Sequence, residues 1–156
     1  MDRQVIALTS LVDALAHASL KRSRLVFVSN VQASNVELAN YTSIDLNVAI
    51  SERLIAVSKR ERAKEVVPAT NEIVSYIVGD VGLVTGLEIL FDRNLAVDPL
   101  HLLAGCAKTK TLLVCWPEEV SDSGISYAVP SHPEYRRYRA SDLNDMIYLT
   151  ADAQLH

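Results

Sequence analysis

The first 78 residues contain no glycine; the five glycines of the chain stand at 79, 82, 86, 105 and 124. That absence excludes a glycine-rich phosphate loop in the first half, because such a loop needs backbone at φ > 0 with no Cβ in the way. Cysteine is scarce as well. Cys106 and Cys115 are too far apart for a CxxC pair, and no cysteine–histidine grouping has zinc spacing. We read both as buried free thiols in a reducing cytoplasm. No apolar run reaches the ~20 residues that span a bilayer, so no membrane partner is expected. Asp13 interrupts the apolar N-terminal segment, which argues against a signal peptide. The net charge of −4 gives no global field that would draw the chain to nucleic acid.

What is present suits one folded domain. The 156 residues, 49% hydrophobic and 22% charged, can bury a proper core. Val5, Ile6, Leu8, Leu11, Val12, Leu15 and Leu20 recur at helical steps and predict an N-terminal helix over 4–20. Leu25–Ser29 reads as a buried strand, residues 33–41 as a short helix, and Ile44–Asn47 as a short strand. A helix is expected over Val48–Lys64, broken by Pro68, and another over Asn71–Val78, stopped by Gly79. Val81–Thr85 is a buried strand and Leu87–Phe91 a helical turn. Asp98 and Pro99 read as the N-cap and first position of a helix that ends at Gly105. Thr111–Trp116 is a continuous apolar strand. Further strands are expected over Ile125–Val129 and Tyr135–Tyr138, then a final helix over Asp142–Tyr148 capped by Ser141. Apolar strands separated by helices predict an α/β fold: a single three-layer domain over 1–156 with a mainly parallel sheet. Its parts are an N-terminal helix 4–20, a sheet core 24–140 and a short C-terminal helix 141–150.

The stretch RLVFVSNVQASNVELAN, residues 24–40, has the strand–turn–helix layout of a nucleotide-binding P-loop. The pattern GxxxxGK[ST] falls on Ser29 to Val36. Its two glycines become Ser29 and Ser34, its lysine Asn35, and its magnesium-binding hydroxyl Val36. Asparagine brings no charge to a β- or γ-phosphate, and valine ligates no magnesium. The strand-end acid of such a site is Thr85 here. Asp80, Glu88 and Asp92 are the nearest acids that could replace it. The phosphate-handling positions are therefore degenerate, no cofactor is expected, and the chain is read as a non-enzyme.

The segments LEILFDRNLAVDPLHLLAGCAKTKTLLVCWPEE and ISYAVPSHPEYRRY supply a further pointer. In their order and spacing, over roughly residues 20–140, they resemble the small P-loop protein of type 3 BREX phage-defence systems, the BrxF-like family. That resemblance implies a P-loop NTPase-like fold in a bacterial multi-protein apparatus that tells modified self DNA from phage DNA. It also implies other proteins of the BREX system as partners. Lys108 keeps a basic residue before the fourth strand, whereas Ser29, Ser34, Asn35, Val36 and Thr85 depart from the family where nucleotide chemistry needs it.

Three functions follow as expectations. The first is a non-catalytic subunit that acts through protein–protein contacts, DNA-assisted within a complex, or as a homo-oligomer. The second is a nucleotide binder or weak ATPase with a non-standard phosphate site built from Lys108, an arginine of a neighbouring subunit, and Asp80 or Glu88. The third is a DNA-binding module. Candidate contact residues are His132, Glu134, Tyr135, Arg136, Arg137, Tyr138 and Arg139, together with Lys59 and Arg60 of the basic run Lys59–Lys64. Strand geometry would put Tyr135, Arg137 and Arg139 on one face, and Arg136 and Tyr138 on the other. Glu134 is expected to pair with a nearby arginine, and Pro133 to fix a turn. His17 reads as a helix-surface residue.

Overall fold

The computed structural model describes residues 6–21, 24–29, 41–108, 110–118, 120–121, 123–143 and 146–154. The helix expected over 33–41 lies outside these apart from Tyr41, and so do Ser34, Asn35 and Val36.

The fold is α/β, with a six-stranded sheet and a separate three-stranded one. In chain order the elements are β1 (Ile6–Ser10), α1 (Leu11–Ala18), β2 (Leu25–Ser29), β3 (Thr42–Asp45), α2 (Leu46–Leu54) and α3 (Arg62–Ser75). Then come β4 (Val81–Thr85), two 3-10 turns (Glu88–Phe91 and Arg93–Leu95), α4 (Pro99–Cys106), β5 (Thr111–Trp116), β6 (Val120–Ser121), β7 (Gly124–Tyr127) and β8 (Arg136–Arg139). A 3-10 turn (Ala140–Asp142) leads into β9 (Ile147–Gln154). The large sheet runs β1-β9-β2-β5-β4-β3, and every neighbouring pair is parallel.

The central strands show why this sheet needs cover on both faces. All six residues of β5 are buried. Leu112, Val114 and Trp116 join the core under α2, α3 and α4, while Leu113 and Cys115 join the core under α1. β2 divides the same way, with Leu25 and Phe27 to one side and Val26 and Val28 to the other. Among the described residues, α1 covers one face with Leu11, Ala14 and Ala18. Trp116 anchors the other face, edge-on to Phe27 (5.8 Å), Phe91 (5.5 Å) and Tyr138 (6.2 Å). Each such pair adds ~0.5–1.5 kcal/mol beyond burial.

Four expectations are corrected. The N-terminal helix 4–20 is a strand followed by a shorter helix. Ile6–Ser10 pair with β9, and Ser10 caps α1 by accepting from the Asp13 N–H at 3.4 Å. Val12 and Leu20, counted into the apolar stripe, are exposed. The C-terminal helix 141–150 is also wrong. Met146, Ile147, Tyr148 and Leu149 are all buried, and β9 lies between β1 and β2. Both ends of the chain thus complete the sheet, which extends beyond the expected 24–140 core. The helix over Val48–Lys64 divides in two. Asp45 caps α2 through the Val48 N–H, and α2 stops at Leu54. Finally, Pro68 lies inside α3 and does not break it, so the expected Asn71–Val78 helix is the second half of α3. A helix-interior proline costs roughly 3 kcal/mol. Burial of Val66, Ala69, Ile73 and Val74 on the same helix offsets it, at ~1.5–3 kcal/mol for each larger side chain.

Candidate functional site

Because the large sheet is parallel, Ser29, Asp45, Thr85 and Trp116 end their strands on one rim, with Ser29 opposite Trp116 and Asp45 opposite Thr85. This carboxyl rim is where open α/β sheets bind ligands. Its acids are already engaged. The Asp45 carboxylate caps α2 at 3.3 Å. Gly86 follows Thr85 at φ +63, and a Cβ there would come within 2.0 Å of Asp45 Oδ1, so only glycine lets the chain leave β4 past that cap. Asn47 Nδ2 donates to Glu88 Oε2 at 2.7 Å, and Asn47 Oδ1 accepts from the Ile89 N–H at 2.8 Å. The Thr85 hydroxyl donates to the Ile44 carbonyl at 3.4 Å. Glu118, just past β5, accepts from the Ala128 N–H at 2.7 Å.

A stacked pair sits beside this rim. The rings of Phe91 and Tyr127 are 3.9 Å apart and 19° from parallel. Burial, then the carboxylates of Glu134, Glu88 and Glu118, holds the Tyr127 phenol above its ordinary value. Those three carboxylates act on Tyr127 from three loops, and Arg93 and Arg136 line the recess that Glu134 shares with Asp92. Asp80 and Lys108 stand at the other end of the sheet. Asp80 precedes β4 and accepts from the Thr111 N–H at the start of β5, and Lys108 precedes that same start. Neither belongs to the rim that carries Thr85 and Glu88.

The HPEYRRY block forms a turn and then β8. His132 donates its N–H to the Val129 carbonyl at 2.8 Å, and its ring Nδ1 accepts from the Glu134 N–H at 3.0 Å. His132 thus braces the turn that holds Pro133. β8 pairs antiparallel with β7, which pairs with β6. Gly124 makes the hairpin possible at φ +133, where a Cβ would lie 2.0 Å from the Tyr138 carbonyl oxygen.

The expected alternation of β8 is present. Tyr138 is buried and Arg136 half-buried, whereas Arg137 and Arg139 are exposed. The inner face is tied to the body. The Tyr138 hydroxyl donates to Asp98 Oδ1 at 2.7 Å and accepts from the Leu100 N–H at 3.3 Å. Arg136 reaches Asp98 Oδ2 at 3.5 Å. Asp98 also caps α4 through the His101 N–H at 3.1 Å, with Pro99 at the first position as the sequence indicated. Burial works to raise the Asp98 carboxyl, but the Tyr138 hydroxyl, the His101 N–H and Arg136 outweigh it and hold it below its ordinary value. Burial, with the Asp98 bond, pushes the Tyr138 phenol far up. Tyr138 and Arg136 therefore fasten the small sheet to α4, with Tyr138 buried and Arg136 half-exposed on the recess beside Glu134. The carboxylate that meets an arginine here is Asp98, where the sequence pointed to Glu134.

Glu134 and Tyr135 are half-buried and, with Pro133, line a shallow recess against Asp92, Arg93 and Val97. Lys59 and Arg60 are exposed in the turn between α2 and α3. Burial pushes the Cys106 and Cys115 thiols up to about 11, and both are free, with Cys106 less deeply buried than expected. No described helix is long and apolar enough to cross a membrane. Sequence reasoning missed Asn47, Glu118 and Arg93. Nothing local marks them: Asn47 reaches Glu88 and Ile89, Glu118 reaches Ala128, and Arg93 lines the recess at Glu134. Compared with protein-family profiles, curated proteins and solved structures, the chain finds no match.

Proposed function

We propose that this chain is a non-catalytic, P-loop-like subunit of a BREX-type anti-phage defence system that works by holding partner proteins. The observation that carries the reading is the character of the carboxyl rim. Glu88, Glu118 and Glu134 gather round Tyr127, and the acids best placed to replace the missing strand-end carboxylate, Asp45 and Glu88, already serve α2 and Asn47. A polyphosphate brought there meets like charge, which costs ~1 kcal/mol per pair at 4 Å in water and ~4 kcal/mol near a protein surface. Lys108 and Asp80, the substitutes offered by the sequence, stand at the opposite end of the sheet. The BREX assignment is supported by the residue blocks LEILFD, DPLHLL and HPEYRRY.

A lasting partner interface needs roughly 800 Å² on each side. The turn Val129–Tyr135, with Val129 exposed and the adjoining recess at Arg93, offers its centre. The test is co-expression of the tagged chain with the other proteins of such a system, followed by purification with EDTA and a nucleotide-degrading enzyme. The expected result is a complex that survives both treatments. A complex that dissolves on nucleotide removal would overturn the non-catalytic part. A chain that ignores all of those proteins, or associates only with itself, would overturn the partner part.

A further inference from the structure

The RRYR run of β8 splits its charge between two environments. Arg136 faces inward to Asp98; Arg137 and Arg139 face out. On the outer face the register sets Arg137 opposite Ser126 and Arg139 opposite Gly124. The two guanidinium groups rise from neighbours with short side chains or none. Among the described residues, neither guanidinium forms a salt bridge, while the Arg139 backbone N–H donates to Asp142 Oδ2 at 2.9 Å. Their spacing along the strand, two residues apart, is about 6.6 Å.

We infer that this outer face, through Arg137 and Arg139, contacts the phosphate backbone of a nucleic acid. Two features choose that partner over an acidic protein segment. A protein interface is anchored by buried aromatic or aliphatic side chains, and Gly124 and Ser126 supply none. A phosphate backbone asks for cations and hydroxyls, which Arg137, Arg139 and Ser126 supply on this face. The contact positions nucleic acid without reading bases, because it rests on charge contacts to phosphates alone. With two phosphates neutralised, it is weak alone and salt-sensitive: log K should fall with log salt at a slope of about −1.8 on duplex and −1.4 on single strands. The inference stands on other residues than the partner-holding reading, so either can fail alone.

The test is anisotropy of a labelled mixed-sequence duplex and a labelled single strand at low salt, with protein taken to about 1 mM, above the ~10⁻⁴–10⁻⁶ M range of non-specific binding. Wild type should bind with the slopes above. Arg137→Gln and Arg139→Gln should each remove about 0.9 of the duplex slope, and the double variant should abolish binding. Arg136→Gln should leave the slope unchanged. Melting curves of all variants confirm that the fold is kept. No wild-type binding at low salt, or binding that the double variant retains, would overturn the inference. Competition by a polyglutamate peptide as effective as that of an unlabelled oligonucleotide of equal charge would also overturn it, in favour of an acidic protein segment.

Discussion

The carboxyl rim of the large sheet and the outer face of the small one carry opposite charge within one chain of net charge −4. At the rim, carboxylates converge from three loops on Tyr127, and the acids closest to Thr85 are spent on a helix cap and an asparagine. On the outer face of β8, two guanidinium groups stand without a described carboxylate. The contrast teaches that chemistry follows topology, not proximity in sequence. Arg136 and Arg137 are neighbours in the chain, yet one is a structural tie and the other a surface charge.

The largest effect should come from cutting the tie between the small sheet and α4. Asp98→Ala removes the cap of α4 and leaves the buried Tyr138 hydroxyl without its acceptor. We expect a loss of about 2–4 kcal/mol, from ~1 for the cap and ~1–3 for the unsatisfied hydroxyl, read as a lower denaturation midpoint. Tyr138→Phe removes the hydroxyl and keeps the Asp98 cap, so although the Leu100 N–H loses its acceptor it should cost less than Asp98→Ala. The reverse order would contradict the tie.

Next comes the Gly86 turn, which carries the chain out of β4 past the Asp45 cap. Gly86→Ala puts a Cβ against Asp45 at φ +63, and should destabilise by about 1–3 kcal/mol. Gly105→Ala is the control: a Cβ there meets nothing within 4 Å on a helix, so it should be neutral or mildly stabilising.

Acid sharpens the same comparison. The Asp98 carboxyl is held below its ordinary value in the folded chain. The stability it contributes is therefore present above the unfolded value near pH 4, and is lost as pH falls through the lower folded value. Wild type should lose stability below about pH 4 more steeply than Asp98→Asn. Parallel urea midpoints for the two across that range would remove Asp98 from the account.

The smallest effects separate the two faces of β8. Arg136→Gln should cost up to about 1 kcal/mol, since its partner is half exposed. Arg137→Gln should fall within about 0.5 kcal/mol of wild type. Equal losses in both would mean that β8 does not divide its arginines as described.

Much of this was legible beforehand. Thr111–Trp116, Val81–Thr85 and Leu25–Ser29 are continuous apolar runs of strand length, and they form the centre of the sheet. The Asp98–Pro99 helix start and the alternation of β8 also read directly from residue chemistry. The ends of the chain did not. Val5–Leu8 and Met146–Leu149 are short apolar runs with no breaker, equally compatible with helix or strand, and only pairing of β1 with β9 decides between them. Pro68 misled because a local penalty was weighed without the burial that offsets it. The rim was half legible. The loss of glycine and lysine shows in the sequence, but the gathering of Glu88, Glu118 and Glu134 depends on loops that meet only in the fold.

The most direct test of the central claim is the melting temperature of the purified chain titrated with magnesium and ATP. A ligand at 100 times its dissociation constant adds roughly 2.7 kcal/mol of stability. The account predicts no shift at millimolar nucleotide, because the chain has neither the glycines nor the lysine of a phosphate loop and the described acids nearest Thr85 serve a helix cap and an asparagine. A saturable rise in melting temperature, lost on removing magnesium, would contradict it.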